Sequence, residues 1–104
     1  MLYFRKLPVG SLICHEGVWS FTYTQQFKAR SEEFYPIVGF RDLEKTYRST
    51  TLWPFFLIRI PGLGQPEVQE TIRREGLDAT DEVALLRRFG ERTLANPFVL
   101  IVKS

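Results

Sequence analysis

The stretch GVWSFTYT, residues 17–24, decides the fold that the sequence predicts. Along it, aromatic residues alternate with small hydroxyl residues, which is the two-residue period of a β-strand with one buried face. The aromatic members are Trp19, Phe21 and Tyr23. Because aromatic residues and threonine also favour strands, we predict a strand with an aromatic face in the core and a hydroxyl face in water.

Two shorter stretches before it also favour strands. LYFR (2–5) and VGSLICH (9–15) are separated by KLP (6–8), which predicts a tight turn, and His15-Glu16-Gly17 supplies the next turn. Gly10, inside the second stretch, predicts a bulge or a close approach of the backbone. Three turn-linked strands predict an antiparallel meander.

Residues 25–50 carry weaker signals. QQFKARSEEF (25–34) fits a short helix or an irregular crossing, and FYPIVGF (34–40) fits a short extended piece. RDLEKTYRS (41–49) is polar enough to predict a surface loop.

Helical signals begin after residue 50. Thr50 or Thr51 can cap a short helix that has Pro54 in its first turn and ends before Pro61.

Two further helices are predicted by their end signals. One opens at Pro66 and stops at Gly76, and the next starts at Thr80 and stops at Gly90. NPFVLIVK (96–103) then predicts a closing strand. The whole order predicts one α+β domain over residues 1–104: a small antiparallel sheet, the meander plus the C-terminal strand, covered on one face by about three short helices.

Composition excludes several classes of protein. The net charge is +2, and basic residues are interleaved with acidic ones, so the sequence lacks the basic stripe typical of direct nucleic-acid binding. No apolar run approaches the ~20 residues of a membrane span, and the first residues do not form a signal peptide. A single cysteine, Cys14, excludes internal disulfides and fits a reducing cytosol. We therefore expect a cytoplasmic protein.

Catalytic templates do not fit the sequence. The single histidine, His15, adjoins Cys14 in a predicted strand, where neighbours point to opposite faces and cannot form a nucleophile–base pair. The same shortage excludes a His/Cys metal cluster. GLGQPE (62–67) lacks the spacing and the lysine of a phosphate loop. The expectation is a protein that is not an enzyme and needs no cofactor.

The order of several short motifs resembles the N-terminal subdomain of HipA-type serine/threonine kinases. The motifs here are VGSL (9–12), WSFTY (19–23), a proline-containing crossing, LWPFFLIRIP (52–61) and LLRRFG (85–90). They follow the order of the family's VGxL, aromatic FxY strand, FFxNLLPE and LLxxxG. The resemblance covers Val9 to Val102, and IRIPG (58–62) departs from it by standing where the family has NLLPE.

The resemblance implies a function as well as a fold. The ATP-binding loop and the catalytic and metal-binding aspartates of the family belong to parts that this 104-residue sequence lacks. It is therefore similar to the stand-alone HipS antitoxins of HipBST operons, which neutralise a separate kinase, HipT. The implied partner is a HipT-like kinase, and a HipB-like helix-turn-helix DNA-binding protein in a ternary complex is left open.

The proline-flanked segment 51–65 is the predicted partner-binding surface. Trp53 precedes Pro54 at a helix start, where a large ring can project outward, and desolvated aromatic anchors dominate interface energetics. The predicted contact residues are Trp53, Pro54, Phe56, Arg59 and Leu63. Packing in the domain's own core is the alternative, favoured for Phe55 and Phe56 and evenly balanced for Trp53.

Two rival functions remain open at this point. The chain would serve as a structural N-terminal subdomain if it were a fragment of a HipA-type kinase. It would serve as a nucleic-acid-binding module if Trp19, Phe21 and Tyr23 formed an exposed stacking platform surrounded by lysine and arginine.

Overall fold

A computed structural model describes residues 1–102, which form an antiparallel five-stranded sheet and four helices. The strands are β1 Leu2–Phe4, β2 Leu7–His15, β3 Val18–Tyr23, β4 Tyr47–Ser49 and β5 Phe98–Leu100. The helices are α1 Gln25–Ala29, α2 Pro54–Leu57, α3 Pro66–Glu75 and α4 Glu82–Phe89. In the sheet the strand order is β4-β3-β2-β1-β5. The predicted α+β class is confirmed.

The β2–β3 hairpin is the centre of the sheet. Its turn residues Glu16 and Gly17 have φ values of 51° and 78°, the left-handed pair that a two-residue type I′ turn needs. The aromatic side chains of β3 are buried as the alternation predicted: Trp19 is 5% exposed, Phe21 0% and Tyr23 3%. This aromatic face of the hairpin is the side of the sheet that belongs to the hydrophobic core.

The first turn and the start of β2 differ from the prediction. The turn falls at Arg5 and Lys6, and β2 already begins at Leu7, whereas the sequence predicted a turn over residues 6–8. Arg5 adopts a φ of 57°, so the chain reverses one residue earlier. Leu2 pairs with Gly10 and Tyr3 with Pro8, so Val9 is the extra residue of a bulge in β2 next to Gly10, as predicted for that glycine.

Gly10 also lies directly beneath the ring of Phe21. A Cβ atom at Gly10 would stand 2.5 Å from Cε1 of Phe21 and 3.1 Å from the carbonyl oxygen of Thr22. We expect Gly10→Ala to lower the free energy of unfolding by roughly 1–3 kcal/mol, because a fully buried ring has to move. Denaturant unfolding measures this loss. Gly64→Ala, where a Cβ meets nothing within 4 Å, is the control and should change stability by less than about 1 kcal/mol in either direction.

The segment between β3 and α2 contains the largest errors of sequence prediction. Of the two alternatives for residues 25–34, the helix forms, capped by Thr24, whose Oγ1 accepts a hydrogen bond from the Phe27 amide at 3.0 Å. Residues 34–40 form no strand. Residues 47–49, predicted as loop, form β4, which pairs with β3 at the edge of the sheet. A three-residue edge strand with one polar face gives too short a pattern to recognise.

Helix α3 begins at Pro66 as predicted, whereas the residues that cap the starts of α2 and α4 differ from the prediction. Neither Thr50 nor Thr51 caps α2; its N-cap is Trp53, whose carbonyl accepts from the Phe56 and Leu57 amides at 3.0 and 2.9 Å. Pro54 presets the backbone of the first turn, so this helix forms without a side-chain cap.

The later helices also start and stop at defined residues. Asp81, rather than the predicted Thr80, caps α4, because its Oδ1 accepts from the Val83 and Ala84 amides. Gly76 ends α3 with a left-handed φ of 66°, and Gly90 ends α4, both as predicted. The closing strand β5, Phe98–Leu100, is shorter than the predicted strand over 96–103. Residues 103 and 104 lie outside the described residues.

An aromatic cluster fills the space between sheet and helices. Phe21 of β3, Phe40 of the following loop and Phe56 of α2 are each 0% exposed. The centroid of the Phe21 ring lies 4.7 Å from that of Phe40 and 5.5 Å from that of Phe56. This contact triangle fixes α2 and the loop around Phe40 against the centre of the sheet.

Candidate functional site

An apolar cleft opens at the surface of α2 and is the strongest candidate for a functional site. We call it the Trp53 cleft; its volume is about 370 Å³. Three segments line it: Val38, Gly39 and Phe40; Trp53, Pro54, Phe55 and Ile58; and Ala95 and Asn96. We call the first segment the first wall of the cleft and the third segment its second wall.

The rim of the Trp53 cleft exposes apolar side chains. Val38 is 90% exposed and Ile58 is 56% exposed, although both are large aliphatic residues. Trp53 is half-buried, and its ring meets the Phe40 ring edge-on at 5.1 Å between centroids. An apolar cleft with an apolar rim and one partly exposed indole is the usual make-up of a protein-binding surface.

A buried tyrosine holds the first wall. The Tyr23 hydroxyl donates to the Phe40 carbonyl at 2.6 Å and accepts from the Ile37 amide at 3.0 Å. Both partners lie at the ends of the segment that carries Val38 and Gly39. Tyr23 therefore closes this loop over the sheet, and burial raises the pKa of its hydroxyl to about 12.

The raised pKa of Tyr23 predicts a loss of stability at high pH. An unfolded tyrosine loses its proton near pH 10, while the folded one keeps it until about pH 12, so the stabilisation is complete below pH 10 and disappears between the two values. Across this interval the loss approaches about 2.7 kcal/mol. We expect the difference in unfolding free energy between the wild type and Tyr23→Phe to shrink steadily from pH 10 to pH 12, as measured by urea unfolding. A difference that stays constant would contradict a buried neutral hydroxyl.

A buried arginine holds the second wall. Arg59, just after α2, is 3% exposed, and its Nη1 donates to the carbonyls of Gly90 and Glu91 at 3.1 and 3.2 Å. Its Nη2 donates to Asn96 Oδ1 at 3.1 Å and to the Phe98 carbonyl at 3.0 Å. These four bonds tie the end of α2 to the chain on both sides of Ala95.

The electrostatic state of Arg59 is unusual. No carboxylate within residues 1–102 lies within ion-pair distance of it, and its buried Nε has no hydrogen-bond partner there. Burial lowers the pKa of the guanidinium, yet arginine keeps its proton in proteins. Within residues 1–102, this positive charge is stabilised by carbonyl and amide oxygens and by the Phe55 ring, whose centroid lies 5.8 Å from Cζ of Arg59, and it lies behind the second wall of the cleft.

The predicted contact residues divide into two groups. Trp53 and Pro54 line the cleft, whereas Phe56 is 0% exposed and Arg59 3% exposed, so neither of these two presents a side chain to a partner. The prediction of Phe56 and Arg59 as contacts is therefore wrong: both support the surface from within. Leu63 is 36% exposed but does not line the cleft.

Some lining residues were missed by sequence reasoning. Ile58 follows Pro54 by four positions, so helical spacing places both on one face and would have identified it. Val38 and Asn96 gave no local signal, because they join the cleft only through long-range folding. Phe55, expected in the core, is half-buried and faces the cleft on one side.

The aromatic strand is not available as a stacking platform. Trp19, Phe21 and Tyr23 are each at most 5% exposed, because the helices cover that face of the sheet. The nucleic-acid reading required these rings to be accessible, and their burial contradicts it. On the opposite sheet face, Ile13 pairs with Ser20 and is 55% exposed. Ile13 lies outside the lining of the Trp53 cleft, although it lines a second cleft beside α4, and it therefore offers a control position.

Other kinds of site are not apparent in the described part of the chain. Within residues 1–102, no three histidine, cysteine, aspartate or glutamate side chains are grouped so as to hold a metal ion. In the same range, every helix is too short or too polar to traverse a bilayer. A second cleft of about 270 Å³ lies beside α4, with Ser11 and Arg87 in its lining, so it is smaller and less uniformly apolar than the Trp53 cleft.

Comparison of the chain with protein-family models, with curated proteins and with solved structures gave no match.

Proposed function

We propose that this protein is a cytoplasmic antitoxin that binds a HipT-like serine/threonine kinase and neutralises it by docking through the Trp53 cleft. One observation carries the proposal: four residues that line the apolar cleft, Trp53, Pro54, Phe55 and Ile58, belong to LWPFFLIRIP (52–61), the segment that resembles the FF motif of the HipA N-terminal subdomain. In a fused kinase that surface would pack against the same chain. In a stand-alone protein it is open to a partner.

The chemistry of the surface supports docking onto another protein. Trp53 is fixed by Phe40 on one side and accessible on the other, so it can enter a partner pocket with little loss of side-chain entropy. Exposed Val38 and Ile58 add apolar area that loses water on contact. Bound near the nucleotide-binding lobe, the protein would hinder substrate access or the closure that kinases need for catalysis.

The partner assignment has a direct test. The protein is coexpressed with a HipT-like kinase that carries the only tag, and the complex is isolated and assayed for autophosphorylation. We expect the two chains to copurify, kinase activity to fall, and growth of the expressing cells to recover. Separate elution together with unchanged toxicity would end the proposal.

The same preparation distinguishes the structural alternative. A subdomain that only supports a kinase lobe would bind and leave phosphorylation intact or raise it, whereas an antitoxin lowers it. Ile13→Ser, on the opposite sheet face, is the matched control and should bind and neutralise like the wild type. Adding the HipB-like protein then reports whether it joins the complex.

A further inference from the structure

Asn96 is the polar side chain among the residues that line the Trp53 cleft, and its orientation is fixed by two donors. Its Oδ1 accepts from Arg59 Nη2 at 3.1 Å and from the Phe98 amide at 3.1 Å. Because both neighbours are donors, the atom between them is the carbonyl oxygen and not the amide nitrogen. The Nδ2 group is therefore turned away from Arg59.

The Nδ2 group has no hydrogen-bond partner among residues 1–102. It carries two N–H donors, and because it is not one of the buried unpaired polar atoms of this part of the chain, it is accessible to solvent. Asn96 is half-buried and lies between two surface clefts, the otherwise apolar Trp53 cleft and a neighbouring one formed within residues 92–99. Two donors at such a place provide direction and specificity to an apolar site.

The buried Arg59 charge gives this end of the cleft a positive potential. The guanidinium has no carboxylate counter-ion within residues 1–102, and its bond to Oδ1 polarises the Asn96 amide, which strengthens the Nδ2 donors. A group that complements this end of the cleft carries a hydrogen-bond acceptor with negative partial charge. A main-chain carbonyl next to an apolar side chain fits the cleft, because the carbonyl oxygen can accept from the Asn96 donors while the side chain fills the apolar part.

We propose that Asn96 is a specificity-determining residue of the Trp53 cleft, oriented by Arg59 so that its Nδ2 donates to a main-chain carbonyl of the partner segment bound there. This inference rests on the proposed function of the cleft as the kinase-binding surface. An apolar side chain of the partner enters between Trp53 and Ile58, and its own carbonyl meets Asn96. Arg59 is a positioning residue, since it acts through Asn96 and touches no partner.

The variant Asn96→Asp separates orientation from recognition. It keeps an acceptor for Arg59 and for the Phe98 amide, and it adds the counter-ion that Arg59 lacks, so we expect the variant to melt above the wild type, by roughly 4–8 °C for each kcal/mol gained. It also replaces the two donors with an acceptor that repels a carbonyl. We expect affinity for the HipT-like kinase to fall about tenfold or more, because a buried acceptor is left unpaired.

The pH dependence of the stability gain tests the pairing with Arg59. The neighbouring cation depresses the pKa of the introduced carboxylate below its unfolded value of about 4, so the gain is complete above that pH and disappears as the pH falls through the lower, folded value. The charged groups of the two elements that meet at the site are Arg59 and, on the 90–98 segment, Glu91 and Arg92, which pair with each other at the surface. We expect wild-type and Asn96→Asp melting temperatures to converge toward pH 2.

The outcomes of the test are distinct. A more stable variant with weaker kinase binding supports the inference, and Ile13→Ser with normal binding validates the assay. A variant that binds as tightly as the wild type overturns the role of Asn96 and leaves the antitoxin proposal standing. A variant with lowered stability at neutral pH overturns the orientation by Arg59. If the wild type itself does not bind the kinase, the proposed function fails and this inference fails with it.

Discussion

Replacement of Trp53 by alanine should weaken binding of the HipT-like kinase by about thirtyfold or more and leave the protein folded. Central aromatic anchors of interfaces typically contribute at least about 2 kcal/mol, which corresponds to that factor. The indole also contacts Phe40, so some stability is lost, roughly 1–2 kcal/mol for a half-buried ring. Calorimetric titration of the kinase at a temperature well below the melting transition measures the affinity.

The control for this prediction is Ile13→Ala, which removes exposed apolar area on the opposite sheet face. That variant should bind the kinase normally. If Trp53→Ala binds as tightly as the control, the indole does not belong to the interface. If Trp53→Ala unfolds, the ring belongs to the core. Kinase binding is then measured with Pro54→Ser and Ile58→Ser, which lie on the same helix face.

Replacement of Phe56 by alanine should have the largest effect on the fold. Its ring is 0% exposed and meets the rings of Phe21, Phe40 and Phe55. Removing a buried phenyl ring costs about 3–5 kcal/mol, and proteins of this size have only about 5–15 kcal/mol of total stability. We therefore expect Phe56→Ala to be partly unfolded at 37 °C, as followed by circular dichroism on heating.

The neighbouring Leu57 provides the matched control for Phe56. It lies in the same helix but is 42% exposed, so Leu57→Ala should cost less than about 1 kcal/mol. Equal losses in the two variants would mean that α2 contributes through its backbone and not through its buried ring. A small loss in Phe56→Ala would place the centre of the core elsewhere in the aromatic cluster.

The sequence predicted the parts of the fold that have strong local signals. The alternation around Phe21 marks a strand because the buried face recurs every second residue, and Gly76 ends a helix because it adopts a left-handed backbone at little cost. Local signals failed for β4, where Tyr47–Ser49 is too short for a period to emerge. They also failed at the start of α2, where Trp53 takes the cap position that hydroxyl residues usually fill.

The candidate site was predicted only in part, for a related reason. The segment around Trp53 is marked by its own composition, but the walls of the cleft come from residues near positions 39 and 95, which folding brings together. Arg59 looks like an ordinary surface charge in sequence. Its burial depends on four oxygen atoms that lie 31 to 39 residues further along the chain, so no window of sequence around it reveals the role.

The Arg59 network also constrains the order in which a nascent chain can mature. All four acceptors of the guanidinium belong to residues 90–98. These residues leave the ribosome after Arg59 and α2, which they hold in place. Until they emerge, burying this cation would leave its donors unsatisfied at a cost of several kcal/mol, so α2 cannot settle onto the sheet during synthesis. The Trp53 cleft is consequently assembled last, and a chain whose translation stops short of these residues should not form it.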